Sequence, residues 1–288
     1  MRIGMSVDID DKSRYGRFGS EMFMKLKEHG FSSIDCNLSG TNAWYYTMDE
    51  AEMETELKKR KELMDLAGIT VSQVHGPWRW PVQDSTPEQR AERLEKMKKA
   101  VYLTTLLGSK NMVIHPIMPC GIEDILSGDE QKTWDINMEF MQELLAYAKE
   151  MGVTICLENM PFIDFSLSKP CDILRFVKAI DDENFKICLD TGHVAVFEGI
   201  SVKESVVSCG REIRAFHIHD NKFGMDLHMM PFSGNINWTE FSEALKEIEF
   251  DGVFSLETAP SPKLSDGLFE EMSRMYAKVA KEIINLSR

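Results

Sequence analysis

Ile187-Cys188-Leu189-Asp190-Thr191-Gly192-His193 is a short β-type run that ends on a carboxylate, turns through glycine and presents a histidine three residues after the acid. Buried strands are apolar, so an acid at the end of one needs a chemical reason. The same event recurs along the chain. Val71-Ser72-Gln73-Val74 ends on His75, Met112-Val113-Ile114 on His115, and Thr154-Ile155-Cys156-Leu157 on Glu158. Arg214-Ala215-Phe216 ends on His217, with His219 two residues later, and Val253-Phe254-Ser255-Leu256 ends on Glu257. His, Asp and Glu are the side chains that bind divalent metals through N and O. One metal site assembled from many strand ends is the simplest reading of the pattern.

The elements that must carry these residues alternate from end to end. Strands are expected over residues 2–7, 31–36, 69–75, 111–115, 153–158, 186–190, 213–219 and 252–257. Helices are expected over 18–29, 48–67, 86–107, 130–151, 169–180, 201–209, 237–248 and 268–286. Their ends carry local signals. Gly30, Gly68, Gly108 and Gly152 stand where helices stop, and Thr86-Pro87-Glu88-Gln89 and Asn237-Trp238-Thr239-Glu240 read as N-caps. Eight strand–helix pairs with no break in composition predict an α/β chain folded as a single-domain (β/α)₈ TIM barrel over residues 1–288. An open doubly wound sheet is the alternative, but its nucleotide-binding form needs a glycine-rich first turn, and none follows Val7.

A barrel makes a further demand. Side chains alternate along a strand, so if each terminal ligand faces the axis, the residue two before it does too. Those residues are Gln73, Val113, Cys156, Cys188, Ala215 and Ser255, small or medium as a narrow interior requires. The alternate set, Val74, Ile114, Leu157, Leu189, Phe216 and Leu256, is apolar throughout and is expected to meet the helices. Cys156 and Cys188 are therefore core fillers rather than ligands.

Bulk properties narrow the function. A net charge of -14 argues against broad contact with a phosphate backbone, so nucleic acid is not the expected partner. No run of about 18 apolar residues exists to span a membrane. Met1 to Asp8 meets acid too early for a secretory signal, and the six cysteines show no CxxC or framework spacing. A cytoplasmic protein with reduced thiols is expected, and assembly into a homo-oligomer is left open.

Strand ends of a (β/α)₈ barrel converge on one face. Glu158, Asp190, His217 and Glu257 then come from neighbouring strands and form a hard O/N site suited to Mn²⁺, Mg²⁺, Co²⁺ or Zn²⁺. Burying that much charge without a cation is prohibitive. The loops above carry Trp44-Tyr45-Tyr46, Trp78, Trp80, Met160-Pro161-Phe162 and Phe232. Of these, Trp44, Trp78 and Phe162 are expected to line a pocket in which a small substrate lies under aromatic rings. His29, in the last turn of a helix, has a structural reading, favouring the helix dipole.

With these residues in place the chain resembles the xylose isomerase-like barrel superfamily, which joins sugar-phosphate isomerases and epimerases to endonuclease IV. The carriers are Leu157-Glu158-Asn159, Asp190-Thr191-Gly192-His193, His217-Ile218-His219-Asp220-Asn221, Asp226-Leu227-His228 with Pro231 and Gly234 to Trp238, and Leu256-Glu257-Thr258. The epimerase branch implies one divalent metal on Glu158, Asp190, His217 and Glu257, with Glu158 and Glu257 moving a proton on opposite faces of a small sugar and His193 holding substrate oxygens. The endonuclease branch implies three zinc ions, and His75, His115, Glu158, Asp190, His193, His217, Asp226, His228 and Glu257 match all of its ligand positions. His75, His115, His193, His219, Asp226 and His228 are therefore expected either to bind substrate or to hold additional metal. The resemblance thus implies a metal-dependent sugar isomerase or epimerase first. A zinc phosphodiesterase on abasic DNA, or a lyase dehydrating a keto-polyol as inosose dehydratase does, are the alternatives. A non-catalytic sugar-binding barrel fits least, because binding alone does not need three buried acids.

Overall fold

A computed structural model describes residues 1–9 and 14–287. Eight parallel strands follow the expected alternation: β1 (Arg2–Asp8), β2 (Ser33–Asn37), β3 (Thr70–His75), β4 (Asn111–Ile114), β5 (Thr154–Glu158), β6 (Phe185–Asp190), β7 (Ile213–His217) and β10 (Val253–Leu256). They pair in the order β10-β1-β2-β3-β4-β5-β6-β7. The ring closes between its ends, where Ile218 N–H donates to Ser255 O and Glu257 N–H to Ile218 O. The fold is the single (β/α)₈ barrel, with helices covering the outside.

The helix boundaries follow the capping chemistry. Thr86 and Gln89 form a reciprocal capping box at the start of Pro87–Leu106, with proline at the first helical position. Asn237 accepts from Glu240 N–H to open Trp238–Glu247. Gly30 and Gly68 end their helices in the left-handed conformation, which glycine adopts without steric cost. The first helix starts later than its sequence predicts. Gly19, with φ 51° and ψ -128°, breaks the backbone, so a 3₁₀ stretch (Gly16–Glu21) precedes Met22–His29.

The alternation along the strands sorts the interior as expected. Val113, Cys156, Cys188 and Ala215 form their own buried cluster inside the barrel. Val74, Ile114, Leu157, Leu189, Phe216 and Leu256 belong to the outer core shared with the helices. Burial pushes the Cys156 thiol up to about 12, as suits a small filler.

Two features lie outside the simple alternation. β7 stops at His217 rather than continuing to residue 219, and the chain turns into an antiparallel hairpin, β8 (Asp220–Lys222) and β9 (Met225–Met229). A short helix, Thr191–Ala195, follows directly on β6. Among the described residues no helix is long and apolar enough to cross a membrane.

Candidate metal centre and its cavity

The strand-end residues converge. Glu158 is fully buried and sits at the middle: its carboxylate lies 2.9 Å from His217 Nδ1, 3.1 Å from His115 Nε2, 3.5 Å from His193 Nδ1 and 3.6 Å from His75 Nε2. Glu257 Oε2 stands 3.2 Å from the same His217 Nδ1. Asp190 is 3.0 Å from His219 Nε2 and 3.8 Å from His193 Nδ1, and Asp226 is 3.5 Å from His193 Nε2 and 3.4 Å from His228 Nε2.

These donors fall into groups whose ligand atoms lie within 4.8 Å of one another: Glu158, Asp190, His217 and Glu257; His75, His115 and Glu158; His193, His219, Asp226 and His228. Glu158 belongs to two of them. Cys188 also lies within reach of Glu158 and His217, and burial holds its thiol well above the ordinary range.

The site's own hydrogen bonds leave it short of partners. Glu158 Oε2, Glu257 Oε2 and His115 Nδ1 are buried and accept or donate no well-aligned hydrogen bond among the described residues. Orphaned carboxylate oxygens facing imidazole nitrogens are costly unless a cation joins them, so the residues fit a divalent ion of the O/N-preferring class.

The histidines are set for that task. His75 Nδ1 donates to Gly76 O at 2.8 Å, His193 Nδ1 to Asn159 O at 2.7 Å and His228 Nδ1 to Glu257 O at 2.9 Å. A carbonyl only accepts, so the partner nitrogen carries the proton and Nε2 is left for the centre. Asn159 does more than hold His193: its amide donates to Asp190 O and accepts from Asp190 N–H, tying the ends of β5 and β6 together. Asp190 in turn caps the short helix after it, accepting from His193 N–H at 2.6 Å, which explains why acid and histidine stand three residues apart.

Electrostatics separate the two glutamates. Burial works against charge on Glu158, but the His217 and His115 rings outweigh it and hold the carboxyl well below its ordinary range. Burial raises Glu257, and the Glu158 charge adds to the effect against the pull of His217 and His228. Burial also opposes charge on His193, yet Asp190, Asp226 and Glu158 raise the ring to about 10. His115 goes the other way, lowered by burial to about 4.

A cavity of about 420 Å³ opens over this floor, lined by His75, His115, Glu158, His193, Asp226, His228 and Glu257 below and by Trp78, Trp80 and Phe162 at the side. Trp78 packs edge-on against His115 with ring centroids 4.3 Å apart, and Trp80 stacks on Phe162 at 5.9 Å. Trp44, expected in the same pocket, is not among the residues lining this cavity and lies against Arg60, whose guanidinium carbon is 4.7 Å from its ring centre. A larger cavity, about 660 Å³, lies at the opposite end between strand starts such as Arg2, Asn111 and Thr154. It contains none of the strand-end acids or histidines.

His219 faces the same group as its neighbours, with its ring stacked on His228 at 4.1 Å. Asp220 holds the loop instead, accepting from Trp238 Nε1, Asn221 N–H and Ile236 N–H. His29 is structural, bonded through Nδ1 to the Tyr15 hydroxyl. Sequence reasoning missed Asp35 on β2. It is fully buried, and its Oδ2 lies 2.8 Å from His217 Nε2. An acid inside Ser33-Ile34-Asp35-Cys36 was the available signal, but it lies two residues before the strand end.

Comparison with known proteins agrees with the barrel fold. A family model described as a xylose isomerase-like TIM barrel matches residues 23–278. An uncharacterized protein of Methanocaldococcus jannaschii is 31% identical over 266 residues, 90% of this chain and 84% of its own length. A D-psicose 3-epimerase of Ruminiclostridium cellulolyticum is 27% identical over 200 residues, 66% of this chain and 64% of that protein. Among solved structures, a D-tagatose 3-epimerase-like protein superimposes with a TM-score of 0.73 at 26% identity, over 99% of this chain and 98% of the other.

Proposed function

Since this chain belongs to the xylose isomerase-like TIM barrel family, we propose that it is a divalent-metal-dependent isomerase or epimerase of a small sugar, sugar phosphate or related polyol. The observation that carries the reading is the pair Glu158 and Glu257, both beside His217 Nδ1, at 2.9 and 3.2 Å, each with a buried oxygen that makes no hydrogen bond among the described residues. The similarity to a D-psicose 3-epimerase supports the same chemistry.

Glu158, Asp190, His217 and Glu257 would hold the ion. When bound, it would polarise a carbonyl and the hydroxyl next to it and so acidify the C–H between them. The chain's own residues do the rest. Glu158 and Glu257, both beside His217 Nδ1, are the proton-transfer pair: one takes a proton from the substrate and the other returns one from the opposite face. His193 and His228 lie at the cavity edge to hold sugar oxygens, and Trp78, Trp80 and Phe162 offer apolar surface to the C–H face of the sugar and keep water out. An adjoining cavity of about 360 Å³ shares Asn37, His228 and Glu257 and adds Arg14, the cationic side chain that a phosphate on the substrate would reach.

The test is to incubate the protein with Mn²⁺, Mg²⁺, Co²⁺ or Zn²⁺ and a panel of ketoses and ketose phosphates in D₂O, following α-carbon protons by NMR. Exchange on at least one ketose, reduced by about 10²–10⁴-fold in Glu257→Gln, is expected. A second reading, a zinc phosphodiesterase on abasic DNA, is favoured by one observation: the donors form further groups around His75 and His115 and around Asp226 and His228, enough for more than one ion. The charge of -14 weighs against it. Three zinc ions per chain, no exchange on any ketose and cleavage of an abasic-site duplex would replace the first reading with the second.

A further inference from the structure

We infer that Asp35 is a positioning residue for the metal centre, fixing which nitrogen of His217 faces the ion. The inference rests on the proposed role of His217 as a ligand. His75, His193 and His228 are each held by a backbone carbonyl on Nδ1 and turn Nε2 toward the centre. His217 is reversed. Its Nδ1 meets Glu158 and Glu257, and its Nε2 lies 2.8 Å from Asp35 Oδ2. Its holder is therefore a carboxylate, and that carboxylate is itself held: Gln73 Nε2 donates to the same Oδ2 at 3.1 Å and to Phe216 O at 3.1 Å.

Asp35, Gln73 and His217 are all at most 2% exposed. Asp35 Oδ1 makes no hydrogen bond among the described residues, so the carboxylate is kept inside the barrel although only one of its oxygens is bonded there. Retaining a buried acid in that state is costly, and the contact that explains it is the one to His217. An N–H donated to a carboxylate fixes the imidazole tautomer, leaves the Nδ1 lone pair toward the centre and makes that nitrogen a stronger donor to a cation. Gln73 prevents the carboxylate from turning away. Asp35 lies on β2, on the far side of His217 from Glu158 and Glu257, so it acts through the ring rather than on substrate.

The experiment compares Mn²⁺ affinity, by competition with a chelator, in the wild type, Asp35→Asn and Asp35→Leu. Circular dichroism and thermal melting of the metal-free forms run alongside. Asp35→Asn keeps the shape and removes the charge, and is expected to weaken Mn²⁺ binding about 10–100-fold. In the exchange assay it is expected to raise the Mn²⁺ concentration needed for activity, while turnover at saturating Mn²⁺ and the KM for the ketose stay near wild type. A residue that merely supported the fold would lower turnover and stability without moving the metal requirement. The visible spectrum of the Co²⁺-loaded protein is expected to change in both variants. Folded Asp35→Asn that binds Mn²⁺ as tightly as wild type overturns the positioning role and leaves the proposed function standing, and it decides the matter even where Asp35→Leu does not fold. Wild-type protein that binds no divalent ion overturns both.

Discussion

At the scale of single residues, the centre is defined by which atoms are tied and which are free. Backbone carbonyls occupy Nδ1 of His75, His193 and His228, and the nitrogens left over point at carboxylates. In the metal-free protein those carboxylates draw protons onto the rings. His193, against the opposition of burial, is raised from 6.5 to about 10 by Asp190, Asp226 and Glu158. Below about 10 the ring therefore carries a proton that an arriving cation must displace, so affinity at this group rises with pH until about 10 and levels off above it. Calorimetric titration of Zn²⁺ at pH 7.5, in two buffers of different ionisation enthalpy, should show at least one proton released for an ion bound by His193, Asp226 and His228. Buffer-independent heat would show that the proton is not there to be displaced.

At the scale of elements, close approach decides which residues the connecting segments tolerate. A Cβ on Gly192 would lie 2.0 Å from His219 Cε1, so the first turn after β6 fits the His219 ring only because the residue is glycine. Gly234 plays the same part beside the hairpin, where a Cβ would meet Asn221 O at 2.2 Å and Asp220 Oδ1 at 2.3 Å. Gly192→Ala is expected to destabilise the protein by about 1–3 kcal/mol through overpacking and to displace His219 from Asp190. Urea unfolding measures the first effect. An unchanged midpoint would mean that the His219 ring moves aside at no cost. The hairpin β8–β9 itself was hard to foresee. Asp220–Lys222 is only three residues long, and Met225–Met229 is mostly exposed without the alternation of a half-buried strand. What secures it is tertiary: Asp220 bonds to Trp238, fifteen or so residues beyond the turn, and Thr258 Oγ1 donates to His228 O.

At the scale of the whole molecule, the groups that would hold metal come from both halves of the chain, from His75 to Glu257. An ion on Glu158, Asp190, His217 and Glu257 would tie β5, β6 and β7 to the chain just after β10, next to the closure at Ile218 and Ser255. Ligand that binds only the folded state stabilises it by about 2.7 kcal/mol at a hundred times its Kd. Removing divalent ions with a chelator should therefore lower the melting temperature by on the order of 5 °C, and adding Mn²⁺ or Zn²⁺ back should restore it. A melting temperature indifferent to chelator would indicate that the strand ends hold together without a cation.

By itself the sequence determined the alternation of strand and helix, the side of each strand that faces the axis, and the acids and histidines that end the strands. These are local matters, written in period-two apolar patterning, capping residues and abrupt polar stops, and the separate inner cluster of Val113, Cys156, Cys188 and Ala215 follows from them. Only the tertiary structure decided which aromatic rings reach the cavity, that Trp44 turns to Arg60, and that Asp35, two residues short of its strand end, meets a histidine 182 positions away. The physical reason is that a strand's pattern says which face a side chain takes, whereas its neighbour across the barrel is set by how all eight strands tilt and close.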